Sequence, residues 1–249
     1  MKAFMYIFYL AAVIAYFTVI TIIGAREIKK LLNVTITEEL RIKNYIESML
    51  FGWGAVLVVL VMCLFAGISF SDVGFRQISF EYNIWFTVIT FILCGALLAV
   101  LLYQTISCFV SAKFREEVKA KLTNNAGKGH YDALMENLML PRSKKEKRMF
   151  FWMSLEAGIG EEIILRGFLY FLLQAVFPGI SIILVVVAAS AFFGICHAYQ
   201  GLQGVIKTTA AGALFGCLFL VTGSLIPGML LHFFADYSSA FLLSEENEQ

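Results

Sequence analysis

The chain has 249 residues, 60% of them hydrophobic and only 15% charged, with a mean hydropathy of +0.81. This composition excludes a soluble globular domain and places the chain among polytopic membrane proteins. A net charge of +1 argues against nucleic acid as a partner and for a single compact helical bundle.

Apolar runs long enough to cross about 30 Å of hydrocarbon occur near 3–24, 49–69, 84–111, 150–177, 181–198, 202–221 and 224–243. The expected fold is therefore all-α: a polytopic transmembrane helical bundle of about seven (six to eight) spans, in contact with membrane lipids and holding an intramembrane polar site. The run from Phe4 to Ile23 is too long for a signal-peptide core and lacks a small-x-small cleavage pattern, so it reads as a retained first span. Asn33-Val34-Thr35 fits a glycosylation acceptor, but the topology places it in the cytoplasm.

The segments 26–47 and 113–148 hold five and ten basic residues, the latter ending in Arg142-Ser143-Lys144-Lys145-Glu146-Lys147-Arg148. By the positive-inside rule both are cytoplasmic, with the N-terminus outside and the C-terminus inside. Asn124, Asn125, Gly127 and Gly129 mark a break between two amphipathic pieces lying along that surface. Residues 1–148 are read as N-terminal membrane anchors with a basic cytoplasmic loop, and 149–249 as the catalytic helical core. The five cysteines are scattered singly and are expected to be reduced packing residues.

In that second half a charged cluster, Glu161-Glu162-Ile163-Ile164-Leu165-Arg166, interrupts an apolar run. An ionised side chain at mid-bilayer costs about 2.5–3.5 kcal/mol on insertion scales, so a chemical role is the default reading. On an α-helix Glu162 and Arg166 form a favourable i, i+4 pair. Glu161, turned about 100° from Glu162 and about 140° from Arg166, is left without a local partner. Glu156 and Lys207 read as interfacial and structural, and the Gly212/Gly216 pair as a helix-packing motif.

His197 follows Phe193 by one helical turn, and His232 precedes Asp236 by one, an arrangement in which Asp236 can select the imidazole tautomer. A carboxylate and two imidazoles in a dry cavity make a hydrolytic site that activates water without a cofactor. The alternative is a zinc site using Glu161, His197 and His232, although the His-Glu-x-x-His pattern is absent. A second alternative is a non-catalytic membrane immunity or regulatory partner. No Gly-x-Ser-x-Gly elbow supports a nucleophilic serine.

Glu161-Glu162-x-x-x-Arg166, Phe193-x-x-x-His197 and His232-x-x-x-Asp236, in that order on three apolar segments, resemble the CAAX protease and bacteriocin-processing (CPBP, or Abi) family. The resemblance runs over about 150–243 and takes in the Tyr199-Gln200-Gly201 turn and Thr222-Gly223-Ser224-Leu225. It implies an intramembrane endopeptidase in which Glu161 and His197 activate water. His232 and the residue four after it would stabilise the oxyanion, and Glu162 with Arg166 would support the site. Eukaryotic-like members carry Asn where Asp236 stands here, and an ionised Asp cannot donate to an oxyanion. Asp236 is therefore expected to orient His232. The chain looks like a bacterial-type member in the cytoplasmic membrane, acting on a membrane-associated peptide or protein in bacteriocin maturation, self-immunity or peptide processing.

Overall fold

The structure, a computed structural model, describes residues 2–80, 82–123 and 130–242. The helices are α1 (Lys2–Lys30), α2 (Glu38–Ala66), α3 (Ile84–Val110), α4 (Ala112–Thr123), α5 (His130–Met139), α6 (Lys144–Glu156), α7 (Tyr170–Val176), α8 (Ile182–Cys196), α9 (Gly201–Thr222) and α10 (Ile226–Ser238). A π-helix, Ala157–Leu169, joins α6 to α7 without interruption. The break expected at Asn124, Asn125, Gly127 and Gly129 lies outside the described residues. All five cysteines are free.

Among the described residues four helices are long and apolar enough to cross a membrane: α1, α2, α3 and the stretch Ala198–Thr222 that ends with α9. Their outer faces expose Leu64, Phe65, Trp85 and Val110, a surface suited to lipid rather than water. The protein is an integral membrane helical bundle. The remaining apolar runs fold as the composite helix from Lys144 to Val176 and as the short helices α8 and α10. At 15 and 13 residues these last two are about 20 Å long, less than a bilayer core.

The N-terminal ends of α2 and α6 are tied by a buried ion pair. Arg41 Nε lies 2.6 Å from Glu146 Oε1, with both side chains below 8% exposure. Glu146 also closes a capping box with Ser143 at the start of α6. This knot sets where the composite helix enters the bundle, and so how deep its acidic residues lie.

On the opposite side, the segment between α2 and α3 folds inward. Its Gly74 carbonyl accepts from the Leu225 amide, its Ser79 amide donates to the Thr222 carbonyl, and its Arg76 donates to the Gly223 carbonyl. Leu225 is fully buried beneath it. The turn from α9 to α10 is therefore recessed, and Pro227 sits in the first turn of α10, where a missing amide costs nothing. The recessed start, rather than a break inside α10, lets His232 reach the depth of the residues on α8.

Candidate active site

The composite helix, α8, α9 and α10 converge on one cavity of about 1170 Å³. Its lining includes Glu156, Glu161, Phe193, His197, Phe215, His232 and Asp236. The far wall comes from α1 and α2, with Tyr16, Thr21, Phe51 and Gly52 among the contributors. The first half of the chain thus shapes the site as well as anchoring it.

Glu162 is the hub. Its Oε1 lies 2.9 Å from Arg166 Nη1 and 2.9 Å from His232 Nδ1, and both Glu162 and Arg166 are at most 2% exposed. A carboxylate only accepts, so Nδ1 of His232 donates. Glu162 Oε2 has no hydrogen-bond partner and abuts Gly228, whose Cβ would lie 3.1 Å away.

Arg166 is held on every side. It donates to the Gly212 carbonyl at 3.2 Å, and its guanidinium lies 4.8 Å from the Phe193 ring centroid and 5.6 Å from that of Phe215. Desolvated cation–π contacts of this kind contribute about 2 kcal/mol. Gly212 does more than allow helices to approach: a Cβ there would lie 3.3 Å from Arg166 Nη2 and 3.0 Å from Phe193.

With Nδ1 committed to Glu162, His232 turns Nε2 toward Glu161 Oε2 at 3.6 Å and Asp236 Oδ2 at 3.7 Å. The ring stacks on Phe215 at 4.9 Å. The orienting hydrogen bond thus comes from Glu162, not from Asp236 as expected from the i, i+4 spacing. Asp236 faces the opposite nitrogen at a distance too long for a hydrogen bond. With a proton on Nε2, the ring donates on both sides.

His197 ends α8, with its Nδ1 2.9 Å from the Phe193 carbonyl and its ring edge-on to Phe193 at 4.6 Å. Phe193 also contacts His232 at 6.1 Å, so one aromatic ring separates the two imidazoles. His197 lines the same cavity as Glu161, but no hydrogen bond joins them among the described residues. Nor does any group of three His, Cys, Asp or Glu side chains among those residues converge as a metal-ligand set.

The register carrying the acids is π, with bonds from i to i+5, over 13 residues. Such segments are rare and frequently occur at functional sites. Gly158 lets this helix meet α10, because a Cβ there would lie 2.7 Å from the Phe233 backbone nitrogen. Residues 145–238, which contain every side chain of the hub, match the family model described as Type II CAAX prenyl endopeptidase Rce1-like. The chain carries a CAAX-protease-family domain. Comparisons with curated proteins and with solved structures give no match. The matched stretch runs from the first turn of α6 to the end of α10, and the matched family is one of peptidases.

Sequence reasoning assigned Glu156 to the interface, yet it is 5% exposed and lines this cavity. The signal was present as another acid in an apolar run, but its place near the start of that run read as the membrane interface.

Proposed function

We propose that the protein is an intramembrane endopeptidase that hydrolyses a peptide bond of a membrane-associated peptide or protein. The observation that carries this reading is Glu162 Oε1 holding both Arg166 and His232 at 2.9 Å, which leaves His232 Nε2 aimed at Glu161 within the cavity. Glu161 lines the cavity with 27% of its side chain exposed, and takes no part in the Glu162–Arg166 pair. It takes a proton from water as the water oxygen attacks the substrate carbonyl. His197 helps to place that water. The proton-bearing Nε2 of His232 stabilises the oxyanion, and the proton on Glu161 is returned to the leaving amine.

The reading needs no metal. A prenylated CAAX peptide is the first substrate to try, by analogy with the matched family, but Asp236 favours an unlipidated apolar peptide. The biological setting would be bacteriocin maturation, peptide processing or self-immunity in a bacterial cytoplasmic membrane.

The test is cleavage of quenched fluorescent peptides of both kinds by purified protein in lipid nanodiscs, together with peptide mass spectrometry of membranes carrying wild type or Glu161→Gln. Cleavage by wild type that is lost in Glu161→Gln supports the reading. Loss of cleavage after chelation, restored by zinc, would reassign the chemistry to a metal. Cellular function retained in Glu161→Gln would identify a non-catalytic membrane partner.

A further inference from the structure

A second cavity, of about 370 Å³, lies apart from the candidate active site. Its lining includes Val34, Thr35 and Ile36 of the linker from α1 to α2, Leu134 and Asn137 of α5, and Arg142 just before α6. The volume is that of a small-molecule site, about 300–1,000 Å³. Both α1 and α2 are long and apolar enough to cross a membrane, so the linker that joins them turns at the membrane surface.

The pocket holds a cation that the fold leaves unanswered. Arg41 and Arg142 meet at Glu146, and only one of them is paired. Arg41 Nε lies 2.6 Å from Glu146 Oε1, whereas Arg142 gives Glu146 Oε2 only its backbone amide, at 2.5 Å. The Arg142 guanidinium donates from Nη2 to the neutral Asn137 Oδ1, and its Nε is buried without a partner. Among the described residues no carboxylate lines the pocket. The last turn of α1 leads into the linker with Lys29 and Lys30, of which only Lys30 has an acidic partner among those residues.

Neutral donors stand in the same pocket. The Thr35 hydroxyl and the Asn137 side-chain nitrogen form no hydrogen bond among the described residues. The walls are fixed, because Arg41 Nη1 donates to the carbonyls of Ile36 and Asn137 at 3.3 and 3.5 Å and so ties the linker to α5. A guanidinium beside such donors suits the oxygens of a phosphate. Val34, Ile36 and Leu134 make much of the remaining wall apolar, a surface that a free inorganic anion would leave unused.

We propose that this pocket binds one anionic phospholipid, its phosphate on Arg142 and its glycerol and first methylenes against Val34, Ile36 and Leu134. A zwitterionic headgroup would bring its own ammonium toward the same guanidinium, so a lipid of net negative charge is preferred. The site is separate from the residues of the proposed peptidase reaction and does not depend on that reading.

Native mass spectrometry tests this on full-length protein released from nanodiscs of equal phosphatidylglycerol and phosphatidylcholine. Wild type is expected to retain one phosphatidylglycerol in preference to phosphatidylcholine, and Arg142→Gln to lower that preference about fivefold. Lys113→Gln removes an exposed cation of α4 outside the pocket and is expected to leave the preference unchanged. No preference in wild type, no fall in Arg142→Gln, or an equal fall in Lys113→Gln overturns the proposal. If Arg142→Gln fails to fold, Thr35→Trp fills the pocket without removing a side-chain hydrogen bond of the described fold. Loss of the retained phosphatidylglycerol is then expected, and full retention overturns the proposal. A melting-temperature rise from millimolar inorganic phosphate as large as that from phosphatidylglycerol, on protein in detergent, assigns the pocket to a free anion and overturns it as well.

Discussion

Glu162 Oε1 lies 2.9 Å from His232 Nδ1 across 70 residues of sequence, and the same oxygen receives Arg166. One buried carboxylate therefore sets both the charge balance of the π-helix and the ring orientation of α10. Glu162→Ala strips Arg166 of its partner in a dry interior, which costs about 3–5 kcal/mol. Thermal unfolding in detergent should show the drop. Glu162→Gln, which fills the same space, should fold better but lose most of the activity, because the amide holds His232 less firmly.

Glu161→Gln should leave unfolding temperature close to wild type, since the side chain faces the cavity and takes no part in the Arg166 pair. Loss of a general base typically costs about 10²–10⁴-fold in rate. Peptide turnover measured beside a melting curve separates this outcome from misfolding, and turnover within a few-fold of wild type would remove Glu161 from the chemistry.

Gly158→Ala places a methyl group 2.7 Å from the backbone nitrogen of Phe233. Backbone cannot rotate away as a side chain can, so the π-helix and α10 must separate, at a cost of about 1–3 kcal/mol. The same separation stretches the Glu161 and Glu162 contacts to His232. Stability and cleavage should fall together, and a stable variant with full activity would show that this close approach is dispensable.

Arg41→Ala leaves Glu146 buried without its cation, and the loss should be about 3–5 kcal/mol in unfolding experiments. The pair lies at the N-terminal end of the composite helix, outside the cavity lining. Because the knot sets the depth of the composite helix, the fraction that folds should also show a changed KM, and an unchanged KM would mean that the knot only anchors the helix.

The sequence by itself determined the class of the molecule and singled out candidate residues, of which Glu161, Phe193, His197, His232 and Asp236 line one cavity. Apolar runs separated by basic loops report a helical membrane bundle, because hydrocarbon admits few charges and little unsatisfied backbone. The same cost made Glu161, Glu162 and Arg166 visible, and the spacing of His197 and His232 on two further segments completed the pattern. The i, i+4 separation also gave the Glu162–Arg166 pair, which is a local property of helices.

The tertiary structure decided what spacing cannot carry. Glu156, read from the sequence as interfacial, is buried and lines the same cavity as Glu161. The recessed turn under Gly74 brings His232 to the level of Phe193. The partner of His232 Nδ1 is Glu162, 70 residues away, rather than Asp236 one turn along its own helix. Local periodicity orders residues on one helix, but a contact between helices depends on their relative depth and rotation. Those follow from Gly158, Gly212 and the buried Arg41–Glu146 knot acting together.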